Sequence, residues 1–434
     1  MNDASTAPAG ELAPATKGSM LFVFALVLID MIGFGIVMPV LPGLITELTG
    51  DSVSEAAVDA GWLAVVYSAM QFIFGPIVGN LSDKYGRRPI LLATLLAYSV
   101  NYALMGLAPT LMWLFIGRLI AGITGASFSA AYAYIADISS PETRAQNFGL
   151  IGMAFGLGFI VGPALGGILG DYGPQLIGEE YGIRLPFFAA GGLALVNVVF
   201  GYFFLKESLP LEKRRPFSLM RSNAFSALKV LGRQNSAVLW YAAALLTWMT
   251  AHMVYPIIWA FYGIESFGWS PAMVGWSLAL VGLSSAIVQG GLIRVIVPRI
   301  GERRSVIVGV LCMAGGTLMY FFMRDPFWVP FAIALGSLQG LVQPSINGLM
   351  SRAVSDRSQG ELQGAVASLS SLSSIIGPPV FTAVFFFSTA ASAAIYRPGA
   401  AFLLAGMIGI GSLFFFLRGV VLKPEVEDAA VQAT

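Results

Sequence analysis

The sequence predicts an all-α integral membrane protein of 12 transmembrane helices in two pseudo-symmetric six-helix halves. Three observations predict it. Hydrophobic residues make up 57% of the 434 residues and charged residues 11%, too few to cover a soluble domain of this size. Apolar runs of about 20 residues, long enough to cross ~30 Å of hydrocarbon, alternate with short polar breaks. The chain also matches itself at one shift: the 215-residue step from Gly86 to Gly301 carries Gly75 onto Gly290, Arg88 onto Arg303, Gly125 onto Gly340 and Gly162-Pro163 onto Gly377-Pro378 without a gap.

Residues 1–18, rich in Ala, Pro and Thr, read as a disordered tail. The first half, 19–205, holds spans 1 to 6 near 19–41, 60–80, 88–107, 111–136, 146–170 and 186–205. Span 1 lacks a small-residue cleavage site and reads as a retained helix. Residues 206–236, carrying "EKRRP", form a basic linker; beside a membrane, that charge reads as a topology signal rather than a nucleic-acid patch. The second half, 237–418, holds spans 7 to 12 near 237–264, 272–293, 304–322, 327–352, 361–387 and 398–418, and 419–434 form the last tail. All but four of the 24 Lys and Arg lie in the tails, the linker and the even-numbered loops, so both termini are expected in the cytoplasm. The first external loop is expected to carry Glu47, Asp51, Glu55 and Asp59.

Enzyme chemistry finds little to work with. His252 is the single histidine and Cys312 the single cysteine, which leaves no Ser-His-Asp set, no zinc site and no intrachain disulfide. No Gly-x-x-x-x-Gly-Lys-Ser/Thr loop exists for ATP, so no cofactor or metal is expected and the energy source is an ion gradient.

"GNLSDKYGRRP", with Gly79, Asp83, Gly86, Arg87 and Arg88, resembles the loop between helices 2 and 3 of the major facilitator superfamily. "LFIGRLIAGITGA" resembles its span 4 motif through Arg118, Gly122 and Gly125. "AFGLGFIVGPALGGILG" resembles the span 5 motif of drug/proton antiporters through Gly156, Gly158, Gly162, Pro163, Gly166 and Gly167. "LIDMIGFGIVMPVLP", "YIADISSPETRAQNFG" and "QGELQGAVASLSSLSSIIGP" look like the tetracycline/proton antiporter branch, across nearly the whole chain. The resemblance implies proton-coupled efflux of a drug or amphipathic small molecule across the bacterial inner membrane, by a monomer that takes no nucleic acid. A nutrient symporter or facilitator of the same fold is the alternative.

By that analogy, Asp83 meets the positive end of span 11 near Gln359 to Glu361, Arg87 pairs with Asp137, and the two latch the cytoplasmic side in the outward-facing state. The bases of this loop also serve as plain topology signals. Gly158, Gly162 and Gly166 share one helical face, which suits close backbone packing, and Pro163 interrupts the helical ladder.

Ionisable residues inside spans point to transport chemistry because lipid penalises them heavily. Asp30 lies roughly 16 Å along span 1, near the midplane, and Arg118 lies a third to halfway along span 4. Two readings fit: a proton-coupling site, or a permanent bridge that only staples helices. The tetracycline exporters carry further acids where this chain has Asn101 and, in span 9, about Met313, and a histidine near Ser284; all three are missing. His252 reads equally as a packed polar residue or a proton carrier. The remaining lumen candidates are Tyr67 and Gln71 in span 2, Asn101 in span 3, Trp248, His252, Met253, Tyr255 and Trp259 in span 7, and Gln339, Gln343 and Asn347 in span 10. Apolar walls with a few hydrogen-bonding groups suit a bulky amphipathic solute.

Overall fold

The computed structural model describes residues 17–125, 127–139, 144–218, 236–355 and 358–421, and among these there is no strand. Most of the expected N-terminal tail, the linker from 219 onward and nearly all of the C-terminal tail lie outside the described residues. Among the described residues, ten helices are long and apolar enough to cross a membrane, or eleven if Phe24–Ile36 and Leu41–Thr49, bent by 43°, form one span. The longest run, Pro271–Phe322, has 52 residues, or ~78 Å at ~1.5 Å each, far more than one crossing needs. Gly301, at φ 79° and ψ 158°, breaks it. The expected 12 requires both that the bent pair Phe24–Ile36 and Leu41–Thr49 be one span and that the break at Gly301 be a turn between two spans.

Gly86, which ends Val53–Tyr85 and precedes Arg87–Gly106, has φ 106° and ψ 157°. Gly301 is its equivalent under the 215-residue shift and adopts the same conformation, one that L side chains rarely adopt. The internal repeat is thus a repeat of backbone geometry at both turns.

Local signals place the other helix ends. Ser52 and Glu55 form a capping box at the start of Val53–Tyr85. Ser270 caps the helix that begins at Pro271, and Gly268 ends the preceding one in the left-handed conformation. One expectation is corrected here. Span 1 does not stop at 41 but continues through Leu41–Thr49, and Val53–Tyr85 begins at once, so Glu47, Glu55 and Asp59 are helical and the loop shrinks to 50–52. The capping box ends the loop before the acids that polarity alone assigns to it.

Among the described residues, the halves meet from the end away from the linker as far as Gly282 of Pro271–Ile287, which packs on Ile160. At the end away from the linker, the Ser54 and Thr389 hydroxyls are 2.8 Å apart, Gly61 packs on Thr382, and the Ser270 hydroxyl donates to Asp171 at 2.8 Å. Gly167 and Gly170 of Arg144–Ile177 lie against Pro271, and Gly275 lies against Pro163. At the linker end, a Cβ placed on Gly75, Gly149, Gly290 or Gly360 would meet nothing within 4 Å. Spans 2 and 11, and spans 5 and 8, therefore converge at the far end and diverge at the linker end. The lumen between them opens toward the linker.

Candidate functional site

Two cavities occupy the bundle axis. One, of about 690 Å³, lies almost wholly in the second half; the other, of about 240 Å³, lies between the halves. Met253, Tyr255, Pro256, Trp259 and Leu278 border both, so the two are arms of one lumen. His252, Gln339, Gln343 and Asn347 line the larger arm, joined by Trp248, while Tyr67, Asn101 and Arg118 line the smaller. Gln71 stands back from both: its amide donates to the Tyr67 hydroxyl and to the Gly125 carbonyl, each at 3.3 Å.

Span 7 supplies the shared wall because it is broken there, into Ser236–His252 and Val254–Phe267. Pro256 has no N–H to offer the His252 carbonyl, and the Met253 N–H turns to Met249 and Thr250. His252 stacks between Trp248 and Tyr255, at ring separations of 5.4 and 5.5 Å.

Asp30 makes no hydrogen bond or ion pair with any described residue, and it borders neither arm. Tyr67, Tyr98 and Tyr102 interact electrostatically with both Asp30 and Arg118. Asp30 and Arg118 are not bridged in this state, which removes the reading of a permanent staple between spans 1 and 4. The Arg118 Nε is buried without a partner.

The span 4 glycines set this geometry. A Cβ at Gly125 would stand 2.8 Å from the Tyr98 hydroxyl and 2.9 Å from the Tyr67 hydroxyl, and one at Gly122 would stand 2.6 Å from the Met70 Cβ. Their absence lets spans 2, 3 and 4 bring polar groups together beside Arg118. Asn101 is 1% exposed and its amide reaches only the Met105 sulfur, at 3.7 Å.

At the linker end, Arg87 is the hub. It pairs with Asp83 at 2.5 Å and Asp137 at 3.1 Å, and donates to the Ser82 hydroxyl at 2.6 Å, whose own proton goes to the Gly79 carbonyl. The expected partner for Asp83, the start of span 11, is not engaged; Gln359 instead bonds Ser351. The latch expected of the outward-facing state is not formed here, with the linker end open.

Glu207, unremarked in the sequence, completes the hub. Its carboxylate accepts the Arg87 N–H at 2.8 Å and the Arg88 N–H at 3.3 Å, capping the positive end of span 3, while the Arg88 side chain donates to the Tyr202 carbonyl at 2.7 Å. A Cβ at Gly86 would collide with that carboxylate. Glu302 and Arg352 pair likewise in the second half. They are the equivalents of Arg87 and Asp137 under the 215-residue shift, with the charges exchanged, and that inversion was readable in the sequence.

In span 5, Gly158, Gly162 and Gly166 pack on span 1 at Met31, Gly35 and Ile36, and Gly167 meets span 8. Gly156, off the face that Gly158, Gly162 and Gly166 share, would place a Cβ with nothing within 4 Å.

Two helical halves around an axial lumen, closed at one end and open at the other, define a membrane transporter that works by alternating access. The chain belongs to the Major Facilitator Superfamily, whose family model matches residues 23–378. It is a multi-pass membrane transporter and not an enzyme. It is 36% identical over 372 residues to the class C tetracycline resistance protein of Escherichia coli, covering 85% of this chain and 90% of that one. It is also 36% identical over 376 residues to the class G protein of Vibrio anguillarum, covering 85% and 91%. The fold matches a crystal structure of the nucleoside transporter NupG with a TM-score of 0.71, 12% identity, and coverage of 92% and 98%.

Proposed function

We propose that this chain exports an amphipathic small molecule in exchange for protons, as a monomer without a cofactor, in a bacterial inner membrane with the linker and both termini in the cytoplasm. The observation that carries the reading is the isolation of Asp30: a carboxylate deep in span 1, unbridged, beside tyrosines that border the lumen. Such a group exchanges protons with whichever side the lumen faces, by way of the tyrosines beside it. The positive charge of the linker end supports the orientation. The names of the tetracycline resistance relatives support drug export.

Alternation then runs as an exchange. With the lumen open to the cytoplasm, as here, substrate enters while Asp30 is charged; with the lumen open outward, a proton binds Asp30 and substrate leaves. Closing the linker end draws Asp83 toward the start of span 11 and forms the latch. Everted membrane vesicles test the reading. Acidifying the lumen of vesicles that carry the protein should drive accumulation of at least one of tetracycline, chloramphenicol, a quinolone or ethidium. A nutrient symporter or a facilitator gives none.

A further inference from the structure

Among the residues bordering either arm of the lumen, one carries a permanent charge, Arg118, and none is an acid. The Arg118 Nε is buried and unpartnered, and so is a second donor, the Trp248 indole N–H across the lumen. Trp248 borders the larger arm and Arg118 the smaller, and the aromatic side chains of Tyr255 and Trp259 border both. Unpaired buried donors are costly unless a ligand satisfies them, and a guanidinium asks for an oxyanion above all. A cation in the same space meets Arg118 without a countercharge, since Asp30 borders neither arm.

We infer that the lumen selects aromatic oxyanions, with the anionic group held by Arg118 and the ring between Tyr255 and Trp259, and that it rejects aromatic cations. This rests on the transporter reading of the same lumen and names the substrate class for it. Export of an anion in exchange for a proton is also favoured on both counts by an interior-negative membrane potential. Competition between anion and proton then acts through the change of conformation rather than through one shared ion pair.

Three probes of one shape test the selection: 2-naphthalenesulfonate, 2-naphthalenesulfonamide and (2-naphthylmethyl)trimethylammonium, titrated into the purified full chain by calorimetry. The sulfonate should bind at least tenfold tighter than the ammonium, with the sulfonamide between them. Arg118→Gln should remove the advantage of the sulfonate over the sulfonamide while the sulfonamide still binds, and Arg118→Lys should keep most of it. Retained sulfonamide binding identifies a folded lumen in either variant. Equal or tighter binding of the ammonium to the wild type, no sulfonate binding at millimolar concentration, or an undiminished sulfonate preference in Arg118→Gln overturns the inference. No proton gradient enters the titration, so its failure is distinct from a failure of proton-driven export in vesicles.

Discussion

Replacing Gly162 by Ala puts a methyl group into the close contact between spans 5 and 1. The new Cβ would lie 2.7 Å from the Ile32 carbonyl oxygen and 2.9 Å from the Gly35 Cα. Carbon contacts settle at about 3.5–4 Å, so span 1 must withdraw by roughly 1 Å along this face. Overpacking of this kind costs about 1–3 kcal/mol. It also moves Asp30, two residues before Ile32, relative to Tyr102 and Arg118. Gly166→Ala should be worse, because its Cβ falls directly on the Ile36 carbonyl. Gly156→Ala is the control: its Cβ meets nothing within 4 Å and should change stability by less than ~0.5 kcal/mol. Thermal unfolding of each purified variant, with transport in everted vesicles, should therefore rank Gly156→Ala with the wild type, Gly162→Ala below it and Gly166→Ala lowest. Equal behaviour of the three, or a greater loss at Gly156, would refute the packing of span 5 on span 1 as the motif's role.

Other expectations follow from the gate. Asp83→Ala or Arg87→Ala should leave the protein in the membrane, lower transport, and raise labelling of a Gln343→Cys probe from the cytoplasmic side in a Cys312→Ser background; unchanged transport would reduce the motif to a topology signal. Glu207→Gln removes the charge that caps span 3 and should cost about 1 kcal/mol in thermal unfolding, with Asp137→Asn acting through the same hub. Glu302→Arg sets two arginines side by side with Arg352, and Glu302→Arg/Arg352→Glu should restore the expression and transport that the single variant loses. Restoration failing while both singles stay active would show that the inverted pair has no shared role.

The membrane fold, its two halves and the basic turn were legible because lipid imposes a coarse grammar of apolar length, flanking charge and repeat spacing. The same coarseness hid the break at Met253 in span 7, since a 20-residue window does not register one proline. Most lumen residues were legible as polar or aromatic groups inside spans, but Gln71 was misplaced because its role is to hold Tyr67 against Gly125. Tyr98, Tyr102 and Glu207 were missed for a different reason. Their importance comes from what packs against them across the fold, and Glu207 lies 120 residues from the Arg87 N–H it accepts. The Asp83 contact with span 11 was expected of the outward-facing state, and the open linker end displays the other.

Proton exchange at Asp30 is tested most directly by proton movement that accompanies substrate. Protein reconstituted in liposomes with an entrapped pH dye is presented in turn with tetracycline, chloramphenicol and 2-naphthalenesulfonate, and lumen pH is followed alongside substrate uptake. For the wild type, substrate entering through molecules in the exporting orientation should carry protons out and raise the lumen pH. Asp30→Asn should still let that substrate equilibrate, with no accompanying pH change. Proton movement at the wild-type rate in Asp30→Asn, or wild-type substrate accumulation without any proton movement, would contradict the account.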